Sequence, residues 1–481
     1  MKKIIFILLV LSMLYACKKD IIDSNKTATL HFSTDTITFD TIFASIGSIT
    51  KTLTVYNNND FSVQTDIELK GSSVGNFRMN VDGIAGDVVK NVEISAKDSI
   101  FIFLEVTINP SSNNTPYILT DSLIFTTGTK KQDINLVAWG QDAYFHTANT
   151  FGQIIDGTDT IIFPYHQVDC TLPWENDKPH VIYGYAIIDA GQTLNINAGC
   201  NIFLHKNSGI LVGNPFSGSS GSSIKVNGTL GNEVTFQGDR LDPWYKDIPG
   251  QWDRIWIMPG SVNNEINYTI IKNGNIGIHA DSLLENETTV EINNTIIENM
   301  SSIGILGQGA SITATNTLVS RCGQYTVACN IGGDYNFTHC TFANYWNYNH
   351  RNTPSILLNN YYEGADGQTY LRNLTAANFT NCIVYGSLST EISFQKEESA
   401  VFNYMFNHCL IKLDPTISTN NLHYTNAIIN QSPNFIDAYE NNFHLTENSP
   451  AIDVGISTFI TVDIEGNIRN NPDLGAFEFQ E

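Results

Sequence analysis

The sequence predicts an all-β chain in two unlike parts, a sandwich followed by a solenoid of stacked coils. One short strand returns six times in the second half. It reads Tyr268-Thr269-Ile270-Ile271, Asn294-Thr295-Ile296-Ile297, Asn316-Thr317-Leu318-Val319, His339-Cys340-Thr341-Phe342, Asn381-Cys382-Ile383-Val384 and His408-Cys409-Leu410-Ile411. The first four copies lie roughly 22–26 residues apart, the period of a solenoid in which each repeat is one coil. Gly, Asn, Ser, Thr, Ile and aromatic residues are abundant, and the helix-forming mixture of Ala, Leu, Glu and Lys is scarce. The first quarter instead shows short polar–apolar alternations broken by turns.

A chain of 481 residues exceeds one core and should divide into two or three domains. Acidic residues outnumber basic ones by 48 to 25, for a net charge of −23. That balance argues against nucleic acid and against anionic membrane surfaces as partners.

The N-terminus carries Lys2 and Lys3, then an apolar stretch from Ile4 to Leu14, then Leu14-Tyr15-Ala16-Cys17. The apolar run is too short to span a bilayer and reads as a secretory signal. Its ending resembles the lipobox of bacterial lipoproteins. The resemblance implies cleavage after residue 16, a lipid anchor on Cys17 and a polar tether over residues 17–27. It places the chain at the cell envelope as an outer-membrane lipoprotein, with its facing left open.

Residues 28–142 form the first module. Thr36-Ile37-Thr38-Phe39, Lys51-Thr52-Leu53-Thr54-Val55, Ser99-Ile100-Phe101-Ile102-Phe103-Leu104 and Asp133-Ile134-Asn135-Leu136-Val137 alternate between polar turns. The spacing predicts an antiparallel sandwich of about seven strands. The segment resembles the immunoglobulin-like modules that precede enzymatic or binding domains in bacterial surface proteins.

Residues 143–435 form the solenoid. Before the repeated strand come Gly191-Gln192-Thr193-Leu194-Asn195-Ile196-Asn197-Ala198-Gly199, Gly209-Ile210-Leu211-Val212, Ile224-Lys225-Val226-Asn227-Gly228-Thr229-Leu230 and Val234-Thr235-Phe236-Gln237-Gly238. These segments and the later repeats resemble right-handed parallel β-helix proteins of the pectin-lyase-like superfamily. Asn273, Asn299 and Asn344 follow the strand at one offset, as an asparagine ladder at a turn would.

Seven cysteines follow Cys17: Cys170, Cys200, Cys322, Cys329, Cys340, Cys382 and Cys409. The odd count and the lack of a Cys-x-x-Cys pair speak against a disulfide framework and against a zinc site. Cys340, Cys382 and Cys409 occupy the Thr slot of the repeat and read as buried packing. The next position points outward and holds Ile270, Ile296, Leu318, Thr341, Ile383 and Leu410. Such an apolar row needs a cover, either the insertion between Ala343 and Leu374 or the first module; otherwise it is a partner surface.

Residues 436–481 read as a cap. Asn442-Phe443-His444-Leu445, Ser449-Pro450-Ala451-Ile452-Asp453-Val454-Gly455, Asp463-Ile464-Glu465-Gly466-Asn467-Ile468-Arg469 and Pro472-Asp473-Leu474-Gly475-Ala476-Phe477-Glu478 resemble the choice-of-anchor Q segment of bacterial β-helix surface proteins. A solenoid needs its last edge covered, and Asp463, Asp473 and Glu478 could hold that cover through Arg469. The alternative is a Ca2+ site at Asp463, Glu465 and Asp473.

Two clusters could carry chemistry. The loop from Gly238 to Arg254 holds Asp239, Arg240, Asp242, Trp244, Tyr245, Lys246, Asp247, Trp252, Asp253 and Arg254. Aromatic faces and Asp/Arg groups suit a glycan, with Trp244, Tyr245, Trp252 and Arg254 as binding residues and Asp239, Asp242 and Asp253 as candidate acids. The insertion offers Trp346, Tyr348, Arg351 and Tyr361 for binding, with His350 or Tyr361 as a base and Arg351 as a carboxylate clamp. The competing reading makes both clusters packed loops, and His279 near Asp281 a structural pair. No phosphate-binding glycine loop, His-Glu-x-x-His or Gly-x-Ser-x-Gly occurs.

The leading expectation is a lipid-anchored envelope protein that binds glycans or surface partners without catalysis. The alternatives are a polysaccharide lyase or glycoside hydrolase, and an adhesin that self-associates through its apolar row.

Overall fold

The computed structural model describes residues 27–43, 47–71, 75–107, 117–156, 159–282, 289–364, 366–420 and 422–480. The expected signal peptide and Cys17 lie outside the described residues. The chain divides into two compact units, Met1–Asp142 and Ala143–Glu481. Among the described residues no helix is long and apolar enough to cross a membrane.

In the first unit, the strands are β1 (His31–Phe32), β2 (Thr36–Phe43), β3 (Lys51–Tyr56), β4 (Val63–Leu69), β5 (Phe77–Val81), β6 (Ile84–Ala85), β7 (Val88–Ile94), β8 (Ser99–Val106), β9 (Tyr117–Thr127) and β10 (Lys130–Gln141). They form two five-stranded sheets, ordered β1-β3-β8-β5-β6 and β2-β10-β9-β4-β7. Alternation decides which side faces in: Ile100, Ile102, Leu104 and Val106 are buried, while Phe101 and Phe103 on the same strand face out. The unit is not wholly antiparallel, because β2 and β10 run parallel, with a register shift at Ala138/Trp139.

The second unit is a parallel β-helix of three sheets. Sheet one has 11 strands, from Tyr144–Thr147 to Ile428–Ile429, and contains the repeated strand. Sheet two has 10, from Thr150–Asp156 to Ile392–Gln395, and sheet three has 9, from Thr193–Asn197 to Tyr424–Thr425. Each coil adds one strand to each sheet, as in Asn264–Asn267, Thr269–Lys272 and Ile276–Asp281. The repeats stand in register: Ile270 pairs with Ile296, then come Leu318, Thr341, Ile383 and Leu410.

The inward slot has one geometry for both residue types. Thr269, Thr295 and Thr317 donate their hydroxyls to the carbonyl two residues back, at 2.9–3.0 Å. Cys340, Cys382 and Cys409 send their thiols to the equivalent carbonyl at 3.3–3.5 Å. Thr and Cys interchange because each is a small donor that satisfies this bond inside an apolar core. Burial raises the Cys340 and Cys382 thiols well above their ordinary range, so they stay protonated and free.

The residue before the slot turns the corner from sheet three with a left-handed backbone. Asn294, Asn316, His339, Asn381, His408 and Asn426 all have φ of 45–54°. Their side chains bond between coils, Asn316 to Asn294, Asn381 to His339 and Asn426 to His408, each at 3.0 Å. Of the expected ladder after the strand, only the Asn299–Asn273 rung forms, at 2.6 Å. Asn344 instead bonds back to the preceding coil, donating to Gln324 O and accepting from Cys322 N.

The C-terminal segment is not an end cap. It runs as a strap along the outer face of sheet one. Phe443, Ile464, Ala476 and Phe477 cover Leu318 and Ala343, and Leu445, Ala451 and Leu474 cover Ile383 and Leu410. Hydrogen bonds fix its course: Asn441 to Glu298, Asn316 to Val462 O, Ala476 N to Thr341, and Gly475 N to Asn381 O. The outward apolar row from Ile296 to Leu410 is therefore covered by this strap, with Tyr345 of the insertion packed beside it. The last coil ends on two-residue strands, which blunt the sheet edges themselves.

Arg469 holds the strap by pairing with Glu478 and donating to Gly475 O and Asn316. Asp463 and Asp473 do not reach Arg469 for this purpose. Asp463 accepts the backbone N–H groups of Glu465, Asn467 and Glu478, and Asp473 those of Asp453 and Phe479. Glu465 faces His444 at 3.0 Å. Carboxylates already filled by N–H donors are poor calcium ligands, so these contacts do not favour the alternative Ca2+ site.

Candidate functional site

Strand Val234–Gly238 of sheet one leads into the 239–254 loop, which delivers the chain to Ile255–Ile257 of sheet two. A single 3-10 turn, Pro243–Tyr245, forms its tip. The loop is pinned from within and from neighbouring coils. The Gln251 side-chain amide donates to Tyr245 O at 2.7 Å and Ile248 O at 2.8 Å. Asn273 donates to Lys246 O at 2.8 Å, and Asn299 and the Tyr348 hydroxyl both donate to Asp247 O. Through Asp247 the two clusters expected from sequence meet.

The loop aromatics have separate fates. Trp252 is 1% exposed and donates its indole N–H to Lys272 O at 2.8 Å. Gly274 lies so close to that ring that an added Cβ would sit 2.8 Å from it. Trp252 is thus a core residue and not a ligand-binding one. Tyr245 lies under the Arg240 guanidinium, 3.5 Å from its ring centre. Trp244 is 77% exposed on the pinned turn. Asp242 precedes that turn and accepts Tyr245 N–H with its backbone carbonyl at 2.8 Å.

Both ends of the loop enter polar networks. Asp239 accepts from His205 Nδ1 at 2.7 Å and from the Tyr183 hydroxyl at 3.1 Å, and Tyr183 stacks on the His205 ring at 4.4 Å. Asp253 accepts from the Tyr185 hydroxyl at 2.8 Å and from Arg254 Nε at 3.0 Å. Burial first, then the facing carboxylates, push both tyrosine hydroxyls well above their ordinary range, so they stay protonated donors. Arg254 continues to His279 Nδ1 at 3.2 Å, and His279 Nε2 reaches Gln308 Oε1 at 2.9 Å. Since a guanidinium can only donate, His279 Nδ1 is the acceptor and Nε2 carries the proton. Trp256 stacks on His279 and donates to Asp281 at 2.8 Å.

The insertion proves to be two loops separated by a core strand, Ile356–Asn359 of sheet two. His350 is exposed on the first, and Tyr361 starts a hairpin, Tyr361–Glu363 with Thr369–Leu371, on the second. Arg351 is 3% exposed and makes a two-pronged pair with Glu391 at 2.7 and 2.9 Å, besides donating to Asn344 O and Thr353 O. Glu391 also accepts from Ser355 N, Ser355 Oγ and Leu388 N. Arg351 therefore closes the first loop and is no ligand clamp. Trp346 is buried and donates to Asn349.

Glu298 was not among the expected residues. It faces outward in register between Lys272 and Ser320, and its carboxylate accepts from Asn441 of the strap at 2.9 Å. Burial pushes its carboxyl above the usual range, while Lys272 pulls it back. Among the described residues no group of three or more His, Cys, Asp or Glu side chains is arranged to hold a metal ion.

No family model and no curated protein matches this chain. Among solved structures, pectate lyase Pel9A is 12% identical over 66% of this chain and 85% of its own, with a TM-score of 0.28. A GH87 α-1,3-glucanase from Streptomyces thermodiastaticus is 10% identical over 79% and 89%, with a TM-score of 0.22. A family 123 glycoside hydrolase from Clostridium perfringens is 9% identical over 23% of this chain, with a TM-score of 0.18, and the chain spans about a quarter (26%) of its length.

Proposed function

We propose that the chain is a lipid-anchored cell-envelope protein whose β-helix binds glycans at the 239–254 loop. The observation that carries the binding is Trp244: a large aromatic side chain held in water on a turn pinned by hydrogen bonds from three neighbouring segments. Rigid exposed aromatics lose little entropy on stacking against a sugar face, and Arg240 and Asp242 belong to the same loop. The net charge of −23 favours neutral over acidic polysaccharides. Trp244→Ala is expected to weaken retention on neutral polysaccharide gels about tenfold or more, some 1.4 kcal/mol. Unchanged retention would remove the loop from the binding site. Leu14-Tyr15-Ala16-Cys17 supports the anchor, and fatty-acid labelling should disappear in Cys17→Ser; labelling that persists would reject it.

A further inference from the structure

Three histidines pair with carboxylates among the described residues: His205 with Asp239, His279 with Asp281 and His444 with Glu465. Two of them have both ring nitrogens engaged. His279 is nearly buried between Arg254 and Gln308, and His444 is held between Asn442 and Glu465. His205 differs. Its Nδ1 faces Asp239, its Nε2 has no hydrogen bond among the described residues, and its side chain is 47% exposed. Asp239 is largely buried, accepts two donors and fixes the imidazole with the proton on Nδ1, leaving a lone pair on Nε2.

We propose that His205 is a catalytic general base, oriented by Asp239 and Tyr183, that hydrolyses acyl esters carried on the glycan held at the 239–254 loop. This rests on the binding reading above and adds a chemical step to it. Asp239, as an acceptor of two hydrogen bonds, is not placed to give a proton to a leaving glycosidic oxygen. A lone imidazole suits acyl transfer, where one group is first base and then acid. His205 Nε2 takes a proton from water as the water oxygen bonds to the acyl carbon. When the tetrahedral adduct collapses, the C–O bond to the sugar breaks and Nε2–H returns its proton to the sugar oxygen. Ester and water become carboxylic acid and alcohol, with no further reactant. Arg240 follows Asp239 directly, with its guanidinium over the Tyr245 ring.

The test uses the intact protein with O-acetylated glucomannan and with p-nitrophenyl acetate. Wild type should release acetate from both. The groups facing His205 in the structure are Asp239 and Tyr183. His205→Gln should lose at least about a hundredfold in turnover while keeping its gel retention, which also shows that it folds. Asp239→Asn should lower turnover and displace the pH profile, and Asp239→Glu should recover part of both, as a positioning role requires. No acetate release by a wild type that still binds the gel overturns the proposal and leaves the binding reading intact. Turnover of p-nitrophenyl acetate that depends on His205 without gel retention supports the base and rejects the binding reading.

Discussion

Replacing Arg351 with methionine is expected to destabilise the β-helix by about 3–5 kcal/mol, the usual cost of stranding one partner of a buried ion pair. The substitution leaves Glu391, which is fully buried, with no counter-charge and with Ser355 and Leu388 still donating to it. Adding Glu391→Leu should recover much of the loss, since both charges then leave the interior together. The denaturation midpoint of the second unit, followed by tryptophan fluorescence, reports both variants. A single variant as stable as wild type would mean that the pair does not hold the fold.

The larger effect is expected from ending the chain after Pro433. This removes Phe443, Leu445, Ile464, Leu474, Ala476 and Phe477 from the outer face of sheet one and bares Leu318, Ile383 and Leu410. At about 1.5–3 kcal/mol for each large apolar side chain buried, the loss rivals the whole stability of an ordinary domain. The shortened chain should self-associate, seen as mass that grows with concentration in sedimentation. A monomeric product with an unchanged melting temperature would show that the strap is dispensable.

The solenoid could be read from the sequence because each coil repeats the same three demands. These are a residue tolerant of left-handed angles, a small donor for the carbonyl two residues back, and an inward β-branched or aromatic side chain. Asn294-Thr295-Ile296-Ile297 and His408-Cys409-Leu410-Ile411 meet them with different residues. The apolar row was equally visible in Ile270, Ile296, Leu318, Ile383 and Leu410, and so were the apolar residues of the C-terminal segment. That one covers the other is a matter of side-chain direction between segments far apart in the chain. The insertion reads as a single loop in sequence because Ile356-Leu357-Leu358-Asn359, a core strand, lies between two polar loops.

The site was legible only where its residues are neighbours in the chain. The 239–254 loop was visible as a dense cluster, yet its two ends work through partners on other coils. Tyr183 and His205 reach Asp239 from 56 and 34 residues away, and His279 reaches Arg254 from 25. Nothing in composition or spacing marks such partners. Trp252 and Arg351 erred the other way: an aromatic ring and a guanidinium look alike on paper whether they face a ligand or a core.

The strap also has a consequence in time. A growing chain emerges from its N-terminus, so the coils bearing Ile296, Leu318, Ile383 and Leu410 exist before the residues that seal them. Until residues 435–480 arrive, every nascent molecule displays a greasy seam of the kind that chaperones recognise. Concealment of that seam therefore waits on residues 435–480, and a chain terminated before them advertises its own defect.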